Sequence, residues 1–218
     1  MLLAGVAHAD ARGVLRLGVE PLSLEPSADT PILGGFFDDA VTAYNAASAA
    51  YNRAHDVMTL APINRSALGV HATMVTFAPG LEVGGEHAVF RMEALIGLSD
   101  THRAIGIGVY PLDLAWPMKT ITPYAAAGGT ASWLDRTDVD GEIGGLVTLR
   151  AAAGVRVGDR VSVEIGYGMY VAGGIVDSAK LHSMAHYDPN GAPPPPADHA
   201  VAGGEQSGMI DVSLGVRM

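Results

Sequence analysis

The chain has 218 residues, no cysteine and a formal charge of −10. Without cysteine there are no disulfides and no thiolate metal sites, and the acidic balance argues against nucleic acid, whose phosphates require a basic face. Hydrophobic residues make up 49% of the chain and mean hydropathy is +0.25, yet no continuous apolar run approaches the roughly 20 residues of a membrane-spanning helix. A membrane role must therefore rest on strands, whose mark is alternation.

Residues 1–9 read as a signal-peptide remnant: apolar Leu2, Leu3, Ala4, Gly5 and Val6 lead to Ala7-His8-Ala9, a small-x-small cleavage site. Residues 10–218 then form one domain. From Val14 to Leu22 the residues alternate, Leu15, Leu17 and Val19 against Arg16, Gly18 and Glu20. This is a first strand. A long loop at about 25–69 follows, with a helix inside it, since no proline or glycine interrupts Ala40 to Met58 and Asp38 or Asp39 can cap the first turn. Val41, Tyr44, Ser48, Tyr51 and His55 form one stripe of that helix, and alanines 40, 43, 47, 50 and 54 another. It is expected to lie over the mouth of a barrel or against its own loop; the alternative is a docking surface for a protein partner at about 39–58.

Alternation returns around Val75, Phe77, Leu81 and Val83, and after Glu86-His87 it continues with Phe90, Met92, Ala94, Ile96 and Leu98. The fourth strand starts with Ile105, Ile107 and Val109 on one face, but Leu112, Leu114 and Trp116 have the opposite phase, so a bulge is expected at Pro111. The fifth strand, about Ile121 to Leu134, is faint because alanine and glycine give little contrast. Clearest is the hairpin from Leu146 to Gly174. There Val147 to Val157 and Val161 to Val171 are apolar at odd numbers, and Gly158-Asp159-Arg160 makes the turn. The segment 175–207, with Pro193 to Pro196, is expected to be a mobile loop without a core. Ile210, Val212, Leu214, Val216 and Met218 complete an eighth run.

On the alternating strands one face is free of charge, while the other carries Arg16, Glu20, Glu82, Arg91, Glu93, Arg150, Arg156, Glu164, Asp211 and Arg217. An arginine or lysine facing lipid near the midplane costs about 2–4 kcal/mol. The uncharged face is therefore assigned to lipid and the charged one to the inside of a closed antiparallel up-and-down transmembrane β-barrel of about eight strands. Short turns would lie at one end with both termini, and long loops at the other.

The pattern over residues 13 to 218 resembles the small bacterial outer-membrane β-barrels, in the manner of the OmpA membrane domain. The terminal run, Ile210 to Met218, looks like that family's insertion signal, although the family typically ends in phenylalanine. The resemblance implies the bacterial outer membrane as the location, with its lipid, lipopolysaccharide and the barrel-assembly machinery as partners. The aromatic girdle would fall to Trp116, Trp133, Tyr110, Tyr124 and Tyr167.

Eight strands leave room for side chains and no open channel. The inner charges are expected to form a paired plug, with Arg16, Arg156 and Arg217 low and a mid-layer around Glu20, Arg91, Glu93, Asp113, Arg150, Glu164 and Asp211 richer in carboxylates. Such a surplus would take up protons, water or a cation. A gated ion path is the functional alternative. No cofactor, nucleophile motif or catalytic set is evident; His182 and His186, four apart, could share a metal only if their segment were helical. The acidic loop residues Asp38, Asp39, Asp135, Asp138, Asp140 and Glu142 read as a solvated surface, or as a divalent-cation bridge to lipopolysaccharide. The leading expectation is a non-enzymatic outer-membrane barrel whose extracellular loops serve structural anchoring or surface interaction; a narrow pore or transporter for ions or small apolar solutes and a soluble lipocalin-like ligand-binding barrel are the alternatives.

Overall fold

The computed structural model of the chain describes residues 10–26, 33–138, 143–158, 160–204 and 208–218. The expected signal remnant at 1–9 lies outside the described residues, as do Asp140, Glu142 and Asp159.

Nine strands are described: β1 (Asp10–Leu24), β2 (Val70–Gly84), β3 (Ala88–Leu98), β4 (His102–Ala115), β5 (Ile121–Arg136), β6 (Ile143–Val157), β7 (Val161–Val176), β8 (Val201–Gly204) and β9 (Met209–Arg217). Each pairs antiparallel with its neighbour, β6 with β7, and β9 joins β7 to β1, so the sheet closes on itself. β8 and β9 occupy a single position. Both pair with β7 in one register, Gly173 opposite Gly204 and Gly168 opposite Met209. The result is an eight-stranded closed antiparallel barrel, with short connections at the end that also holds Asp10 and Arg217.

The register sets the barrel's shape. Opposed residues run from Asp10 through Gly84, Val89, Asp113, Ala126, Ala152 and Gly166 to Asp211. The next step returns to β1 at Glu20, one beyond the Val19–Val212 pair and so ten residues from the start. Eight strands with that stagger tilt roughly 40° from the axis.

Side chains alternate as the sequence predicts. On β3, Val89, Arg91 and Glu93 are buried, while Phe90, Met92, Ile96 and Leu98 are exposed. The β4–β5 register shifts between Val109 and Leu112, and the phase reverses there: Tyr110 and then Asp113 point in, Leu112 and Leu114 out. That is the bulge expected at Pro111. A further shift, between Val147 and Thr148 on β6, has no proline to announce it.

Toward the long-loop end the interior changes character. Leu22, Leu24, Val70, Met74, Leu134, Leu146 and Ile175 form an apolar core inside the barrel, so the rule of greasy outside and ionised inside holds only for the lower part of the cylinder. Above it sits a cap. Helix α1 (Gly34–Ala54) and helix α2 (Ser178–Ala185) bury Phe37, Ala40 and Met184 with Leu68, Ala197, Ala200 and Val201. Two expectations are corrected here. The segment 175–207 contributes the end of β7, helix α2, β8 and part of a core, because Asp177 caps α2 by accepting from the amides of Ala179 and Lys180 and so starts a helix within a polar stretch. Helix α1 begins at Gly34 without a side-chain cap, which places Asp38 and Asp39 inside it.

Candidate functional site

The interior charges are carried on inward positions of several strands, and the barrel's stagger decides which of them meet. Glu164 on β7 is the hub. It is 1% exposed, and its carboxylate accepts from Arg16 (2.8 Å), Arg91 (3.1 Å) and Arg150 (2.6 Å). Arg16, counted as low in the sequence, thus reaches the middle layer because the tilt raises it beside β7. Arg16 and Arg91 also flank Glu93 at 3.4 and 3.2 Å. Arg150 donates through Nε to Asp211 at 2.7 Å.

A lower layer follows. Asp113, fully buried, accepts from Arg156 at 2.9 and 3.0 Å and lies 3.5 Å from Arg91. Glu82 pairs with Arg217 and stands 3.8 Å from Arg156. Asp113 belongs with this lower set rather than the middle one. All ten network residues singled out in the sequence face inward, and Asp113 joins them. Within it Glu20 stands apart: its partner is the Tyr170 hydroxyl, which donates at 3.0 Å.

Two tyrosines expected in an outer girdle are instead part of this interior. Tyr110 and Tyr124 are each 3% exposed, and the guanidinium carbons of Arg91 and Arg156 lie 4.2 Å from their ring centres. Even-numbered positions of β5, and of β4 before its bulge, point inward, which is why neither ring can reach the outside. Glycine makes the room. A Cβ on Gly154 would stand 2.5 Å from the Tyr124 ring, and one on Gly128 would stand 2.7 Å from Tyr110. The glycines mixed among the inward charges were the available signal for these rings.

Below the long-loop end, where His71 and Arg103 are exposed, the outer wall is apolar on every strand of the barrel. On β7, Val161, Val163, Ile165, Tyr167, Met169 and Val171 are all exposed; on β9 so are Ile210, Val212, Leu214 and Val216, with Met218 after them. Those five are the terminal run assigned to insertion. Trp133 lies toward the long-loop end of this wall and Trp116 beside the short turn after β4, both exposed.

In and beside the cap, four acidic residues already have basic neighbours. Asp38 accepts from Arg65, Asp135 from Arg103, and Arg136 joins Asp138 at 2.7 Å and Asp198 at 3.0 Å. The hydrogen bonds from Arg136 hold the Asp138 carboxyl down at about 2. A bridge to lipopolysaccharide would therefore have to compete with these arginines. On α1 the alanine stripe turns inward at Ala40 and Ala47, leaving Asp39, Thr42, Ala46, Ala49 and Arg53 outward. His182 on α2 and His186, the residue that follows its last turn, lie with ring centres 4.3 Å apart. Among the described residues no three His, Asp or Glu side chains are grouped closely enough to hold a metal ion.

No protein-family model matches the chain, and no curated protein matches it in sequence.

Proposed function

We propose that the protein is a non-enzymatic outer-membrane β-barrel, with the cap built from its first and last long connections serving structural anchoring or surface interaction. One observation carries this reading: an unbroken apolar outer wall encloses an ionised interior. On β7 the exposed apolar residues run from Val161 to Val171. At about 3.3 Å per residue and a tilt of roughly 40°, they cover about 25 Å along the axis, the height of the apolar band of outer-membrane barrels. In water such a surface would be a severe aggregation hazard. A lipocalin-like barrel needs the opposite arrangement, an apolar chamber with charges outside.

A pore is the weaker reading. The guanidinium groups of Arg16, Arg91 and Arg156 fill the lower lumen, and the apolar core beneath the cap stops the upper end. The bacterial outer-membrane lipids and the barrel-assembly machinery are the partners this proposal implies. The test is cell fractionation combined with gel migration of detergent-extracted protein with and without boiling. A membrane barrel stays in the outer-membrane fraction and migrates faster unboiled; recovery in the aqueous extract with a single migration would overturn the proposal.

A further inference from the structure

Beside Glu20 the interior holds a cavity of about 40 Å³, bounded by Glu93, Asp211, Thr148, Arg16 and Arg150 among others. That volume exceeds what one water needs and suits one ion with a water or two. Three observations bear on what belongs there. First, Glu20, Glu93 and Asp211 face two guanidiniums, so the lining carries one surplus negative charge. Among the described residues the same surplus appears over the charge network below the apolar core, where six carboxylates (adding Glu82, Asp113 and Glu164) meet five arginines (Arg16, Arg91, Arg150, Arg156 and Arg217).

Second, the surplus has an address. Every other carboxylate of the set lies within ion-pair distance of an arginine, whereas Glu20 has the hydrogen bond from Tyr170. Third, the Thr148 hydroxyl, on a residue 2% exposed, lines the cavity with no hydrogen-bond partner. A buried hydroxyl left unmatched is costly, and its oxygen is the neutral donor an alkali ion accepts.

We propose that this cavity is a binding site for a monovalent alkali cation, held between the Glu20 carboxylate and the Thr148 hydroxyl with water completing the shell. A divalent ion would ask for more carboxylates around one point than are grouped anywhere among the described residues. The inference concerns the lumen and is independent of what surrounds the outer wall.

The experiment is urea unfolding of the refolded full chain in detergent, at constant ionic strength, with choline chloride replaced by sodium or potassium chloride from about 10 to 300 mM. For a site of tens-of-millimolar affinity the midpoint rises by roughly half a molar in urea in at least one alkali salt. Glu20→Gln and Thr148→Val each abolish that rise. Glu82→Gln, in the lower layer, lowers the midpoint and leaves the salt difference in place. Equal midpoints in all three salts, or a rise that survives Glu20→Gln, would overturn the proposal. So would a midpoint that follows pH through the carboxyl range without distinguishing the cations, since a proton on Glu20 would then be the counter-charge. Should the variants not refold, a wild-type crystal soaked in rubidium chloride decides: an anomalous peak in the cavity supports the site, and its absence refutes it.

Discussion

Replacing Glu164 by glutamine removes one charge and almost no volume from the centre of the network. Arg16, Arg91 and Arg150 all donate to this carboxylate, and all four side chains are buried. Glutamine can still accept through one oxygen, but its amide hydrogens face a guanidinium, so at least two charge-assisted bonds are lost. At about 1.5–3 kcal/mol for a bond to a charged group, the loss of two is about 3–6 kcal/mol. That agrees with the cost of breaking a buried pair and leaving its partner uncompensated. With a urea slope of about 2 kcal/mol/M, the unfolding midpoint falls by about 2 M. Fluorescence from Trp116 and Trp133, both on the outer wall, follows the transition in micelles. A midpoint within about 0.3 M of wild type would refute the idea that this carboxylate neutralises three arginines. Arg150→Met in the same background separates the pair by a double-mutant cycle.

Four further outcomes are expected. Ile165→Arg, at mid-height of the exposed wall, costs about 2–4 kcal/mol if that wall faces lipid and under about 0.5 kcal/mol if it faces water, so folding equilibria in vesicles separate the two readings. Gly154→Ala forces the Tyr124 ring from beneath Arg156 and lowers stability by about 1–3 kcal/mol, read from the same urea titration. The Asp138 carboxyl has its folded pKa lowered to about 2 by Arg136. Its contribution is complete above the ordinary carboxylate range and is lost as pH falls toward 2, so hydrogen exchange at Arg136 to Asp138 and Ala197 to His199 speeds up over that window, and Arg136→Ala removes the pH dependence. In planar bilayers wild type conducts negligibly; steady large-conductance openings would refute the stoppered lumen.

The barrel was legible because the period of two survives in every strand whose faces differ, and even the phase slip at Pro111 could be read from Val109 against Leu112. The inward charges were legible for the same reason. Which of them pair was not, since Arg16 meets Glu164 through the ten-residue stagger, a property of the closed sheet that no single strand carries. The upper apolar core was missed because Leu22, Leu24 and Leu146 sit at strand ends, where an inward leucine and an outward one look alike. Helix α2 was hidden by its neighbours: prolines and glycines after Asp188 gave the whole segment a disordered composition. Glu20 and Thr148 were visible only as an inward acid and a small polar residue; their isolation is a fact of packing.

The interior ion pairs matter most as a specification of register. A one-residue slip of any strand turns its inward set to the outside. For β6 that slip would carry both Arg150 and Arg156 to the wall, at about 2–4 kcal/mol each in lipid, while taking one arginine away from each of Glu164, Asp211 and Asp113. Several opposite partners lie on strands that are not neighbours: Arg91 on β3 meets Glu164 on β7, and Arg156 on β6 meets Asp113 on β4. Such pairs form only when the cylinder has closed with its native stagger, so they contribute late in assembly and discriminate against every misregistered closure. Buried ion pairs seldom outperform apolar packing in stability alone. A sequence with faint contrast along β5, where alanines and glycines would slide past one another at little cost, depends on the neighbouring charges of β4 and β6 to hold one alignment.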